Sequence, residues 1–85
     1  MSLVQQIIAA VSAAERQIDD QIGKLTSYIG EIDKVTNRTN AAFDGSTQNY
    51  GRDMIQQLAA TKAQVNQAIE KLQAAKEKLL RVRTI

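Results

Sequence analysis

The sequence predicts an all-α protein, an antiparallel two-helix hairpin that dimerises into a four-helix bundle. Two observations predict the hairpin: aliphatic residues recur every seven positions in both halves of the chain, and a cluster of Asn, Thr, Ser, Asp and Gly separates the halves. The apolar stripe of each half is wider than one neighbouring helix can cover, which predicts the second hairpin. We therefore expect a single domain over residues 1–85, with a helix at about 3–40, a turn at about 41–47 and a helix at about 48–83.

The first helix is predicted by a heptad pattern with a wide apolar stripe. Position a is aliphatic throughout: Val4, Val11, Ile18, Leu25 and Ile32. Position d holds Ile7, Ala14, Gln21, Tyr28 and Val35, and the adjoining e positions add Ile8, Ile22 and Ile29. Gly23 and Gly30 interrupt the pattern, and each costs roughly 1 kcal/mol of helix propensity relative to Ala. We interpret these glycines as sites of close approach or slight bending.

The second helix repeats the pattern with smaller residues. Position a holds Leu58, Val65, Leu72 and Leu79, and position d holds Met54, Thr61, Ala68, Ala75 and Val82. Small residues at d allow a neighbouring helix to come close. The predicted hairpin and partner interface consists of the eight a-position residues Val11, Ile18, Leu25, Ile32, Leu58, Val65, Leu72 and Leu79.

The turn is predicted where both heptad series lapse, between residues 37 and 51. Gly45 can adopt a positive φ at little cost, and Ser46 or Thr47 can cap the second helix through its backbone N–H groups. Helices of roughly 35 residues at 1.5 Å per residue are each about 50 Å long. A hairpin of two such rods leaves part of each stripe exposed, and a second hairpin, identical or related, would cover it.

The composition argues against an enzyme. The chain contains no Cys and no His, which excludes thiolate and imidazole catalysis and His or Cys zinc sites. The neighbouring carboxylates of Asp19 and Asp20 point about 100° apart on a helix and do not converge on one proton. We expect no catalytic residue, no metal site and no cofactor.

The charges are divided between the halves. Residues 1–53 carry 5 basic and 7 acidic side chains, a net charge of −2, whereas residues 54–85 carry 6 and 2, a net charge of +4. This asymmetry favours pairing of an acidic helix with a basic one. The basic cluster between Lys71 and Arg83 lacks a glycine-rich loop or an aromatic platform, so nucleic-acid binding is not expected.

The N-terminal apolar run does not have the features of a targeting or membrane-spanning segment. Gln5 and Gln6 interrupt it, no basic segment precedes it, and it continues into a charged helical pattern. We expect neither a cleaved signal peptide nor membrane insertion.

Two aromatic residues flank the turn. Phe43 is the only phenylalanine and lies beside Asp44 and Gly45, and Tyr50 follows seven residues later. Phe43 is either a hydrophobic plug that closes the end of the bundle or part of a recognition notch formed with a partner helix, and Tyr50 can pack at the same end.

The segment Phe43-Asp44-Gly45, centred between two long heptad-patterned helices in a Cys-free chain, resembles the Trp-x-Gly turn of the WXG family. Members of this ESAT-like family are small helical-hairpin substrates of type VII secretion. The resemblance implies a non-enzymatic protein that is cytoplasmic before export and is secreted without a cleaved signal peptide. It also implies that Phe43, Asp44, Gly45 and Tyr50 form a turn feature read by a partner or by the secretion ATPase.

The sequence departs from the family pattern in two respects. Phe43 replaces Trp and lacks its N–H donor, and no Tyr-x-x-x-Asp/Glu element follows the second helix. Two alternatives remain: a related hairpin in a heterodimer supplies the missing element, or the protein is a targeting partner that lies along the N-terminal helical domain of an LXG-type toxin. Competing interpretations are a cytoplasmic coiled-coil adaptor, a filament subunit and, least favoured, a nucleic-acid binder.

Overall fold

The computed structural model describes residues 2–43 and 50–84, and these form two long helices. Helix α1 spans Leu3–Ala42 and helix α2 spans Tyr50–Arg83. They pack side by side in an elongated molecule of 67 × 15 × 13 Å. The prediction of an all-α helical hairpin is confirmed. Helix α1 extends two residues beyond the expected boundary near 40, so Ala41 and Ala42 are helical, while residues 48 and 49, where the second helix was expected to begin, lie outside the described residues.

A capping box fixes the start of α1. The Ser2 hydroxyl accepts a hydrogen bond from the Gln5 backbone N–H at 3.1 Å, and the Gln5 side-chain Oε1 accepts one from the Ser2 backbone N–H at 3.2 Å. The two residues thus satisfy two backbone donors reciprocally at the first turn. At the other end of α1, the Phe43 N–H donates to the Thr39 carbonyl at 3.0 Å.

The two helices meet along heptad positions a and e, rather than a and d. Apart from Ser12 and Ala14, the buried and half-buried residues of α1 and its C-cap follow one another in steps of four and three: Val11, Glu15, Ile18, Ile22, Leu25, Ile29, Ile32, Thr36, Thr39 and Phe43. The corresponding series in α2 is Gly51, Ile55, Leu58, Lys62, Val65, Ile69, Leu72, Lys76 and Leu79, and outside it Thr61, Ala68 and Leu80 are also half-buried. This spacing is that of a coiled-coil seam, and Lys62 and Lys76 contribute their aliphatic stems to it. We call this surface the seam.

Two of the three interhelical salt bridges among the described residues share one register. Lys62 Nζ lies 2.8 Å from Asp33 Oδ1, and Lys76 Nζ lies 2.6 Å from Asp19 Oδ1. In both pairs the residue numbers sum to 95, as an antiparallel pair with constant register requires. The acidic first half and basic second half of the sequence therefore pair within one hairpin.

The same register places the start of α1 largely past the last turn of α2. Residues opposite Leu3 to Ile8 would be numbered above 86, whereas α2 ends at Arg83. This N-terminal overhang explains why Leu3 and Val4 are exposed by 71% and 64% although Val4 occupies position a.

The interpretation of Gly23 and Gly30 as sites of close approach is wrong for the hairpin itself. A Cβ atom built at either residue would have no neighbouring atom within 4 Å. Both glycines lie on the exposed side of α1, away from the seam.

Candidate interaction surface

Most of the large apolar side chains outside the seam and the overhang occupy heptad position d. Tyr28 is 51% exposed, Val35 41%, Met54 47% and Val82 46%. A two-fold rotation perpendicular to the hairpin approximately relates the two antiparallel helices, so equal heptad positions lie on the same side of the pair. The d positions of α1 and α2 therefore form one continuous surface, which we call the d face: Ile7, Ala14, Gln21, Tyr28, Val35, Ala42, Met54, Thr61, Ala68, Ala75 and Val82.

Large and small residues alternate across the d face. The register places Tyr28 level with Ala68 and Val35 level with Thr61. Towards the overhang, the small residue Ala14 is on α1 and is level with Val82 on α2. Because large side chains lie beside small ones, the side chains of another helical layer can interdigitate with this surface.

The d face continues into an apolar groove at the overhang. Val4, Ile7, Ile8, Val82 and Arg83 line this groove, which has a volume of about 270 Å³. The hairpin therefore exposes apolar side chains along one side and around one end. Soluble monomers rarely expose extended apolar patches of this kind, and such patches mark interaction sites.

The opposite side of the hairpin is mostly polar. It carries position b, which in α1 holds Gln5, Ser12, Asp19, Thr26, Asp33 and Asn40, and in α2 holds Arg52, Ala59, Asn66, Gln73 and Leu80. Asp19 and Asp33 form interhelical salt bridges. The two sides of the hairpin that flank the seam therefore differ, one being largely apolar and the other mostly polar.

The predicted interface residues all lie in the seam. Val11 and Ile32 are buried, and Ile18, Leu25, Leu58, Val65, Leu72 and Leu79 are half-buried. They hold the hairpin together, while most of the exposed large apolar side chains lie at the d positions and the overhang, although the sequence places positions a, d and e in one stripe. The signal in the sequence that favours the seam over the d face is the set of β-branched e residues, Ile22, Ile29, Ile55 and Ile69.

Phe43 packs against the start of α2. A Cβ atom at Gly51 would lie 2.5 Å from Phe43 Cγ and 2.6 Å from Phe43 Cβ, closer than any real contact of this type. Gly51 is buried, Phe43 is half-buried, and both occupy seam positions. The aromatic ring therefore closes the seam at the turn end, and Gly51 provides the space for it, a role that the sequence analysis did not assign to this glycine.

The other predicted turn residues are described only in part. Asp44 and Gly45 lie outside the described residues, as do Ser46 and Thr47, and Tyr50 is described only as the first residue of α2. Their recognition role stays a prediction.

Comparisons with protein families, curated proteins and solved structures returned no match for this chain. In the described ranges 2–43 and 50–84, neither helix has a segment long and apolar enough to cross a membrane. Among these same residues, no group of three or more Asp or Glu side chains is arranged to hold a metal ion.

Proposed function

We propose that this protein is a small, non-enzymatic helical hairpin that works by packing its d face against a second helical hairpin to form a four-helix bundle. We further propose that the bundle is exported by a type VII secretion system. The protein would be either a secreted substrate or a co-secreted targeting partner of a larger toxin of the LXG type.

The exposed d face is the observation that carries the bundle proposal. Tyr28, Val35, Met54 and Val82 are each more than two-fifths exposed on one side of a hairpin whose own seam is closed. Burial of apolar surface contributes roughly 25 cal/mol per Å², and the alternation of large and small residues allows close packing. A helical layer over this side would complete the bundle.

The secretion proposal draws support from the resemblance of the turn. An aromatic residue, Phe43, stands between two long helices of comparable length, as in the Trp-x-Gly hairpins of the WXG family. Phe43 is half-buried, so part of its ring is accessible to a partner or to the secretion ATPase. Asp44, Gly45 and Tyr50 belong to the same proposed recognition feature.

The test is export from a host with an active type VII system, compared with an otherwise identical strain that lacks the secretion ATPase. The tagged protein is expected in the culture medium of the first strain and only in cells of the second. Release from both strains in proportion to cell lysis would contradict the secretion proposal and favour the cytoplasmic adaptor.

A pair of variants separates recognition of Phe43 from its packing. Phe43→Ala removes the ring, whereas Phe43→Leu keeps an apolar side chain that can pack on Gly51. We expect Phe43→Ala to retain helix content and dimerisation but to reduce export. Export of both variants at the wild-type level, with equal expression, would show that Phe43 acts only as a plug.

A further inference from the structure

The outer edges of the d face carry a charge pattern that bears on the choice of partner. On an α-helix the neighbours of a d residue lie three and four positions away, at a on one side and at g on the other. Because position a is in the seam, position g forms the outer edge of the d face on both helices. The edge residues are Leu3, Ala10, Gln17, Lys24, Glu31, Arg38, Tyr50, Gln57, Gln64, Lys71 and Lys78.

These two edges are predominantly basic. They contain four basic residues, Lys24, Arg38, Lys71 and Lys78, and one acidic residue, Glu31. Glu31 already lies 3.2 Å from Lys34 Nζ. None of the four basic edge residues takes part in a salt bridge among the described residues.

The acidic residues are concentrated elsewhere. Asp19 and Asp33 are on the polar side, where they neutralise Lys76 and Lys62 of the seam. Glu70 and Glu77 occupy position f, which is the outer edge of that polar side. The hairpin therefore places its excess positive charge around its apolar d face.

A second copy of this chain would bring like charges together on the d face. Lys24 and Lys71 are level with each other, since their numbers fit the register of the interhelical salt bridges. If α1 of the copy lies over α2 at the same level, each Lys24 meets a Lys71. If the copy is instead turned end to end, its α1 lies antiparallel over α1. With full overlap, each Lys24, near the middle of α1, then lies close to Lys24 of the other copy. Like charges at such spacing destabilise association.

We infer that the partner covering the d face is a different helical protein, whose apolar stripe is edged by Asp and Glu, and that a second copy of this chain is the weaker partner. This inference rests on the proposed function, because it assigns the partner of the same docking surface. Acidic edges would pair with Lys24, Arg38, Lys71 and Lys78 while the apolar stripes interdigitate. Such charge patterns at g positions determine partner choice in coiled coils.

The small residues of the d face favour a helical partner over an anionic membrane. Ala14, Ala68, Ala75 and Thr61 are suited to close approach of a helix. Helices that lie in a membrane interface typically use Trp, Phe and Leu on their apolar face, and the d face has none of these.

The test uses a charge-reversed copy of this chain as the acidic-edged partner, so it does not require the natural one. In this edge-reversed variant, Lys24, Arg38, Lys71 and Lys78 are all replaced by Glu. A control-reversed variant carries Glu at Arg16, Lys34, Arg52 and Arg81, four exposed basic residues outside both the edges and the interhelical salt bridges. Circular dichroism is the control that checks whether both variants remain helical.

Association is measured by light scattering and by titration at about 0.05 M and about 1 M salt, because charge effects on exposed surfaces are screened at high salt. We expect wild type mixed with the edge-reversed variant to associate about tenfold more tightly than wild type alone, a difference of about 1.4 kcal/mol. The gain should shrink at high salt and be absent with the control-reversed variant. A neutral variant with Gln at the four edge positions should self-associate more tightly than wild type.

The remaining outcomes distinguish this inference from the proposed function. A wild-type homodimer as tight as the mixed complex, and insensitive to salt, would overturn the acidic partner but leave the docking function intact. Absence of any complex, including that of the neutral variant, would overturn both. In a third outcome, wild type binds phosphatidylglycerol vesicles, the edge-reversed variant does not bind them, and no mixed complex forms. This outcome would assign the d face to a membrane instead.

Discussion

Arg83 Nη1 donates a hydrogen bond to Glu15 Oε2 at 3.1 Å and joins the two helices at the end of the hairpin remote from the turn. Glu15 is only 8% exposed and occupies seam position e, which holds Ile22 and Ile29 in the next two heptads. Its other carboxylate oxygen, Oε1, is buried and has no hydrogen-bond partner among the described residues. A buried carboxylate that is only half satisfied is a costly substitute for isoleucine.

Glu15→Ile should therefore stabilise the hairpin. The substitution continues the aliphatic series of the seam and removes a desolvated charge, and we expect the free energy of unfolding to rise by about 1–3 kcal/mol. Urea unfolding followed by circular dichroism, at concentrations where the chain does not associate, measures this change. A fall in stability would mean that the ion pair, rather than apolar packing, maintains the open end of the hairpin.

Removing Arg83 should have the opposite effect. Arg83→Ala leaves Glu15 buried without its partner, and we expect a loss of about 1–2 kcal/mol, moderated because the Arg83 side chain is 39% exposed. In a Glu15→Ile background the same substitution should cost little, since no buried charge remains. Equal costs in both backgrounds would show that Arg83 contributes through its stem alone.

Gly51→Ala should be strongly destabilising because of a single contact. The added methyl group would collide with Phe43, 2.5 Å from its Cγ atom and 2.6 Å from its Cβ atom, so the root of the side chain as well as the ring must shift. Overpacking of this kind typically costs about 1–3 kcal/mol. The expected result is a reduced urea midpoint with little change in the slope of the transition.

A double-mutant cycle gives the control for this contact. In a Phe43→Ala background the Cβ atom at residue 51 gains free space, so Gly51→Ala should become neutral or stabilising through helix propensity. A cost for Gly51→Ala that is the same with and without the ring would disprove the proposed packing of Phe43 on Gly51.

Gly23→Ala and Gly30→Ala should stabilise the free hairpin, in contrast to Gly51→Ala. Both glycines face open space inside an exposed stretch of α1. Replacing either with Ala should add about 0.5–1 kcal/mol through the lower conformational entropy of the unfolded chain. Thermal unfolding of the two single variants and the double variant tests this, with Gly51→Ala as the matched substitution of opposite sign. A loss of stability at either site would place an undetected neighbour there.

The heptad pattern was sufficient to predict the two helices and their pairing, because apolar periodicity and the turn residues are local properties. It did not separate the seam from the d face, since Ile22 at e and Tyr28 at d are both apolar and differ only in which neighbour covers them. That choice depends on how each helix is rotated about its own axis, and the e positions, which mix Ile22 and Ile29 with Glu15, do not decide it from the sequence.

Features that depend on pairs distant in sequence were also missed. The space that Gly51 provides for Phe43 exists only when α2 returns along α1, and the buried position of Glu15 results from the arrival of Arg83. The charge asymmetry between the halves did predict that acidic and basic elements would pair. It could not indicate that the basic residues left over, such as Lys24 and Lys71, border the d face.

The overhang at the start of α1 gives a final prediction, in which one variant keeps its folding stability but associates more weakly. Leu3, Val4, Ile7 and Ile8 lie at the edge of the helix pairing, where α2 contributes only Val82 and Arg83 to the shared groove, so replacing all four with Gln removes little intrachain packing. Gln has a higher helix propensity than Val or Ile, by a few tenths of a kcal/mol per residue. We therefore expect the free energy of unfolding of the isolated hairpin to stay within about 0.5 kcal/mol of wild type, whereas association through the d face weakens.

Urea unfolding and the mixed-complex titration measure the two quantities on the same variant. A four-Gln variant that unfolds much more easily would show that the overhang folds back on its own chain, and unchanged association would restrict the docking surface to the paired part of the hairpin.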